Sequence, residues 1–448
     1  MRPIFRLLYL LYRLITTVRY WVQRRFTPVG IALLVAVVIV LPLSFDTDNN
    51  VAYQTFCLLV ALLLFALAFG GWLRGRFEVE RILPRFCTVG APIQYRVSIR
   101  NLARKPQAGL TFIETLADLR PSLSEWTAFQ WAEEKRLRRI PIWRRRVRHP
   151  FRVARVGHAE IPPLPAQQSA EVQVELVPLR RGLIRFQSAT IGRSDPLGLF
   201  RALKQQPLPQ AMLALPRRYF MPPIALPGAL KYQQGGVAMA SSVGQSDEFV
   251  SLRDYRRGDP IRHIHWRSWA KTGVPIVKEF EDEFFVRHAL VLDTFSTDPY
   301  SETFEEAVSV AASFACTIQT QESLLDLLFV GTEAYCVTAG RGLAHADQML
   351  EVLASVRANL DLKHFNRLEE LVLNHASRVS GCICVLVNWD NARQELIRKL
   401  RLLGIPLLVL LIVEAGGARK IDAGPMRDDP QNFRLLEVGA IEEGLAKM

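Results

Sequence analysis

Lysine and arginine are missing from residue 26 to residue 73, between Arg25 and Arg74. Cysteine is also scarce. The six are Cys57, Cys87, Cys316, Cys336, Cys382 and Cys384, and no two form a C-x-x-C pair. Cys382 and Cys384 alternate inside an apolar run, so they read as small core residues of a strand rather than zinc ligands or a disulfide. A Gly-rich phosphate loop is absent as well, which argues against ATP hydrolysis by this chain. No small-residue cleavage site follows the first apolar run, and a second such run comes at once. A removable secretory signal is therefore not expected.

What fills the uncharged region is hydrophobic. PVGIALLVAVVIVLPLSF (28 to 45) and VAYQTFCLLVALLLFALAFGGWL (51 to 73) flank the polar turn DTDNN. A bilayer core takes about 20 apolar residues in a helix. The second run is long enough; the first is at the short limit and carries Pro42 near its end. The spacing predicts a two-helix hairpin whose spans run from Val29 to Leu43 and from Val51 to Leu73. With Arg on both flanks, both termini are expected in the cytoplasm. A chain anchored in a membrane is therefore expected.

The chain has 448 residues and a net charge of +13. Its positive charge is local. Residues 1 to 25 hold six Arg and no acid, and residues 135 to 155 hold ten Lys or Arg and no acid, so the remainder is slightly acidic. On a helix Arg2, Arg6, Arg13 and Arg24 share one face, the pattern of an interfacial helix on anionic lipid; a solvated tail is the alternative. The second cluster suits lipid headgroups or a solvated loop better than nucleic acid, because no series of stacking aromatics accompanies it.

Beyond the hairpin, residues 77 to 101 and 170 to 200 alternate polar and apolar with Gly and Pro breaks. Such patterning predicts a small antiparallel β-sandwich. From residue 286 apolar strands alternate with helical patterns, which predicts a doubly wound α/β domain. The expected organisation is a basic segment (1–27), a hairpin (28–75), a sandwich-like domain (76–205), a joining segment (206–285) and the α/β domain (286–448).

Ligands of such sheets bind beyond the strand carboxyl ends. Asp293 and Asp390 stand at two of those ends, and with Ser296 and Thr297 they offer hard oxygen ligands to Mg²⁺. In the alternative reading the two carboxylates cap loops or helix N-termini. The segment resembles the von Willebrand factor A domain, whose adhesion site uses D-x-S-x-S, a Thr and a later Asp. Here D-T-F-S-T puts Phe295 at the first Ser and Thr297 at the second, so the metal set Asp293, Thr297 and Asp390 is degenerate.

The segment SLRDYRRGDPIRHIHWRSWAKTGVPIVKEF (251 to 280) crowds Arg, His and Asp around aromatic rings. S-W-A-K and K-T-G match two elements of serine acyltransferases, but Lys271 would have to serve in both. His263 and His265 alternate as if on one strand face, with no third metal ligand nearby. A turn locked by Arg–Asp pairs and followed by a strand carrying Ile264 and Trp266 fits the composition better.

Tyr255, Gly258, Asp259, Arg262, Ile264 and Trp266 resemble the signature Tyr-x-x-Gly-Asp-x-x-Arg-x-Ile-x-Trp of the domain of unknown function fifty-eight family. R-R-G (180 to 182), S-D-P-L-G-L-F (194 to 200) and V-K-E-F (277 to 280) resemble further elements of that family. The resemblance implies a non-enzymatic inner-membrane adaptor or assembly factor. Its partners would be a MoxR-type AAA ATPase, a transglutaminase-like membrane protein and membrane lipid, with no nucleic acid expected and Mg²⁺ as the one cofactor to consider. The competing expectation is a metal-dependent hydrolase of an envelope or nucleic-acid substrate, with Asp259, His263 or His265 as acid or base.

Overall fold

The computed structural model describes residues 2–45, 50–70, 75–117, 120–139, 151–221, 249–259, 261–280, 286–317, 323–339, 343–417 and 421–447. They fall into two compact units, Met1–Arg217 and Arg218–Met448.

The first unit begins with three helices, α1 (Arg2–Arg25), α2 (Pro28–Leu43) and α3 (Asn50–Gly70). Within α3, Val51–Ala68 is long and apolar enough to cross a membrane; α2 is apolar but only 16 residues long. Val29, Leu43 and Val51 are exposed in these helices, whereas Leu73 lies outside the described residues. Thr27 separates α1 from α2 and caps the latter, its hydroxyl accepting from the Gly30 N–H at 3.1 Å.

Nine strands follow: β1 (Phe77–Ile82), β2 (Phe86–Thr88), β3 (Ile93–Asn101), β4 (Leu110–Leu116), β5 (Ala154–Val156), β6 (Ala159–Ile161), β7 (Ser169–Pro178), β8 (Gly182–Ser194) and β9 (Arg201–Leu215). They form two sheets, ordered β1-β3-β7-β5 and β2-β9-β8-β4-β6. The alternation seen in the sequence is used as expected: Val97, Ile99, Val172 and Val174 from one sheet share a core with Phe112, Phe186, Ile191 and Met212 from the other. One buried ion pair interrupts that core. Arg81 binds both oxygens of Glu114, at 2.6 and 3.0 Å, and Tyr95 donates to the same carboxylate at 2.8 Å. Between β4 and β5 a helix, α4 (Leu123–Arg139), enters the second basic cluster, and residues 140–150 of that cluster lie outside the described residues.

The domain boundary expected at 205/206 is displaced. β9 runs unbroken to Leu215, because Met212 and Ala214 complete the shared core.

The second unit opens with a hairpin of β10 (Phe249–Asp254) and β11 (Ile276–Phe280), which enclose a single 3₁₀ turn (Ile261–His263) and α5 (Trp266–Thr272). A larger sheet follows, built from β12 (Val286–Leu292), β13 (Ser323–Val330), β14 (Ala334–Ala339), β15 (Gly381–Leu386), β16 (Leu407–Val413) and β17 (Phe433–Glu437). Its order is β14-β13-β12-β15-β16-β17, and every neighbour is parallel except the β13/β14 edge. Four longer helices belong to it: α6 (Glu302–Thr317), α7 (Leu343–Ser355), α8 (Phe365–His375) and α9 (Asn391–Leu402). On one face Ala289, Val291 and Cys384 pack against Phe365 and Leu368 of α8 and Leu396 and Ile397 of α9. Cys382 and Cys384 are fully buried there, as small core residues. A short helix, α10 (Ile441–Ala446), ends the chain's described part.

Candidate functional site at the strand ends

β12 and β15 are adjacent and parallel, so their carboxyl ends open side by side. Asp293 follows β12 directly and is fully buried. Asp390 lies four residues beyond β15 and is the N-cap of α9, its carboxylate accepting from the Arg393 N–H at 3.1 Å. That bond satisfies one of the orphan donors of the helix start. The capping role given as the alternative for Asp390 is thus realised.

Between the two carboxylates lies Arg393. Its Nε donates to Asp293 at 3.0 Å and its Nη2 to the other Asp293 oxygen at 3.2 Å. Nη1 donates to Asp390 at 2.6 Å, and Nη2 also reaches the Phe295 carbonyl at 3.2 Å. The guanidinium carbon stands 4.4 Å from the centre of the Phe365 ring. Phe365 in turn packs edge-on against Phe295. The residue is 1 % exposed.

Asp293 receives two further donors, the Phe295 N–H at 3.0 Å and the Val387 N–H at 3.3 Å. Burial pushes its carboxyl above the ordinary carboxylate range, and the Arg393 guanidinium and the two amides work against that push. For Arg393 the balance tips the other way. Burial opposes its charge, but Asp293 and then Asp390 outweigh it, and the guanidinium is held above its ordinary value.

The expected metal set therefore does not fit a divalent cation. A covalently attached cation already takes up both carboxylates, and the third member, Thr297, is exposed and outside the cluster. Ser296 turns its hydroxyl to the Asp298 carbonyl, and Thr294 donates to the Val330 carbonyl. Phe295, at the degenerate position, is a core residue; its ring fills the space beside the guanidinium. Among the described residues no three His, Cys, Asp or Glu side chains stand close enough to hold a metal.

Arg393 went unmarked in the sequence reading, although a signal was there. It lies three and four residues before Leu396 and Ile397, on the buried face of α9, and three residues after the strand-end Asp390. A charged side chain at a core position next to a capping carboxylate marks a buried ion pair.

The signature residues sit on the hairpin of the same unit. Arg253 binds both oxygens of Asp259, at 2.7 and 2.9 Å, and the Arg256 N–H adds a third bond at 2.8 Å. These contacts hold the Asp259 carboxyl down at about 2, the Arg253 side chain first among them, so it is a fixed anion at neutral pH and a poor proton carrier. Gly258 takes φ +113°, a backbone conformation that suits glycine. The turn locked by an Arg–Asp pair is present.

The strand expected after that turn is absent. Ile264 makes a single bridge to Val277, and Trp266 starts the helix α5. His263 and His265 consequently do not share a strand face, and His265 Nδ1 meets Ser268 Oγ at 2.6 Å. Trp266 stacks on Trp269 with ring centres 5.3 Å apart and stays 60 % exposed. Ile261 and Arg262 are exposed beside it, Tyr255 is half-buried and Ile264 is buried.

The second unit thus holds strand-end carboxylates neutralised from within and, before them in the chain, a hairpin locked by an Arg–Asp pair. Residues 251–410 match the family model described as "Protein of unknown function DUF58", and both the hairpin and the Asp293–Arg393–Asp390 cluster lie inside the match. A curated relative from Bacillus subtilis (strain 168), the uncharacterized protein YeaD, is 28% identical over 190 residues, 42% of this chain. The matched region is 46% of YeaD, so the chain spans about half the length of that relative. Two solved structures overlap locally. A Salmonella alpha-2-macroglobulin mutant aligns at 16% identity and TM-score 0.19 over 34% of this chain and 8% of its own. The PapD-like domain 7 of human CEP192 aligns at 6% identity and TM-score 0.17 over 31% of this chain and 84% of its own. Both scores lie far below that of a shared fold.

Proposed function

We propose that the protein is a non-enzymatic, membrane-anchored adaptor. In this reading α2 and α3 form a two-span hairpin in the inner membrane, with both termini in the cytoplasm. The sandwich-like domain follows, and a von Willebrand factor A-like domain binds protein partners. The partner class comes from the family resemblance: a MoxR-type AAA ATPase, with a transglutaminase-like membrane protein as a second candidate.

One observation carries the non-enzymatic part. The carboxylates at the strand ends, where an α/β sheet places its chemistry, are both consumed by Arg393. With Asp259 also locked to Arg253, none of these three carboxylates is left as a free acid or base. Exposed apolar and cationic side chains on the hairpin segment, Ile261, Arg262 and Trp266, support protein binding.

The test is affinity capture of the full chain from detergent-solubilised native membranes with ATP present. Recovery of a MoxR-type ATPase by the native chain, and its loss with Trp266→Ala at an unchanged melting temperature, is the expected result. Equal recovery with both chains, or recovery with neither, contradicts the proposal.

A further inference from the structure

In the first unit the start of α2 meets the β8–β9 turn. Phe26 and Phe200 pack edge to face with ring centres 5.1 Å apart, and with Leu199 and Ala66 they form a separate small core. The Thr27 N–H donates to the Leu199 carbonyl at 3.1 Å, and the Thr27 hydroxyl donates to the Gly198 carbonyl at 2.5 Å. The β8–β9 turn, S-D-P-L-G-L-F, is thereby pinned to the start of α2 and the flank of α3. Asp195 of that turn is committed to the N–H groups of Leu197, Leu199 and Phe200.

Cationic groups converge next to this joint. Arg24, at the end of α1, donates through Nη2 to the hydroxyls of Thr115 (2.9 Å) and Thr190 (2.6 Å). Arg201, the first residue of β9, places Nη1 3.4 Å from His158 Nδ1. Neither arginine pairs with a carboxylate among the described residues. The Nε–H groups of both are buried without an acceptor. Two orphan donors on two half-buried guanidinium groups are costly, at about 1–3 kcal/mol for each buried donor left unsatisfied. The fields of both groups also act on His158, whose basicity is lowered by burial first, then by Arg201 and Arg24.

We propose that Arg24, Arg201 and His158 form a binding site for a phosphate group. Its oxygens supply the acceptors that the two Nε–H groups lack, and the planar guanidinium forks suit that geometry. Two sources share this chemistry, the headgroup of an anionic phospholipid and free phosphate. The position beside the first turn of α2 favours the lipid, because that is where an apolar helix entering a bilayer meets the headgroup layer. The lipid arm rests on the membrane reading of α2 and α3; the phosphate site itself does not.

The experiment uses the full chain in nanodiscs of phosphatidylcholine, with or without phosphatidylglycerol, and compares it with Arg201→Gln, which changes the side chain that meets His158. Arg96→Gln, a surface change on the other sheet, is the control. Retained lipid is counted by mass spectrometry after transfer to neutral detergent. Retention of phosphatidylglycerol by the native chain and the control, reduced about 10- to 100-fold in Arg201→Gln, supports the lipid arm. Millimolar inorganic phosphate raising the melting temperature of the native chain in phosphatidylcholine discs, but not that of Arg201→Gln, supports the site with free phosphate as its ligand. Equal behaviour of native chain and Arg201→Gln in both assays overturns the proposal. Failure of the chain to enter discs refutes the membrane reading, and the phosphate titration in detergent still decides the site.

Discussion

Replacing Arg393 by methionine is the sharpest perturbation of the strand-end cluster. The side chain is 1 % exposed and its charge faces a fully buried carboxylate. Removing one partner of such a pair leaves the other charged and unpaired, at a cost of about 3–5 kcal/mol. For a unit of this size, a fall of about 10 °C in melting temperature follows. The same substitution leaves Asp293 with only the Phe295 and Val387 amides, so its carboxyl should rise further and the deficit should shrink as the pH is lowered. Adding Asp293→Asn to Arg393→Met removes the orphaned charge and should recover much of the loss, since deleting both partners of a buried pair is far less costly than deleting one. The assay is thermal unfolding of the full chain in neutral detergent, followed by tryptophan fluorescence. A loss below about 1 kcal/mol for Arg393→Met, or a double variant no more stable than the single one, refutes the reasoning.

Other outcomes follow from separate parts of the structure. Gly30→Ala should undo the joint between α2 and the β8–β9 turn, because a Cβ there would lie 2.0 Å from the Leu199 carbonyl oxygen; faster proteolysis in residues 194–201 is the readout. His288 is buried with an unpartnered Nδ1, and burial lowers it from 6.5 to about 4. The unfolded chain takes up that proton first, so stability is lost as the pH falls below 6.5, by about 2 kcal/mol at pH 5, and stops falling below about 4. His288→Leu should flatten this part of the melting profile between pH 7.5 and 5, and an unaltered profile would speak against it. Asp259, held down at about 2, contributes stability that is complete above its ordinary value of 3.8 and is lost as the pH falls through 2. Asp259→Asn should therefore loosen the hairpin at neutral pH, seen as faster amide exchange at Arg256 and Tyr255; unchanged exchange would contradict the role given to the carboxylate.

The periodic parts of the fold were legible in the sequence. Alternation in residues 93–101 and 169–178 marks strands that bury Val97, Ile99, Val172 and Val174, and the apolar runs GCICVL and LLVLLIV became the central parallel strands. Local rules failed where tertiary contacts decide. Residues 261–266 are extended by composition, yet Trp266 starts a helix because the His265 carbonyl receives the N–H groups of Ser268 and Trp269. At the strand ends the sequence offers oxygen donors in order, and Asp293, Thr297 and Asp390 read either as a degenerate metal set or, for the two carboxylates, as caps of loops or helix N-termini. What it hides is that Arg393, a hundred residues after Asp293, is carried inward on the same helix face as Leu396 and Leu400. The Arg253–Asp259 pair was readable because both residues lie within one turn, six positions apart.

The central claim is that Arg393 itself neutralises the strand-end carboxylates. Crystals of the full chain soaked in Mn²⁺, a stand-in for Mg²⁺ with an anomalous signal, test it most directly. The account predicts guanidinium density between Asp293 and Asp390 and no anomalous peak within coordination distance of either. A Mn²⁺ peak bridging the two carboxylates, with Arg393 displaced, would contradict it.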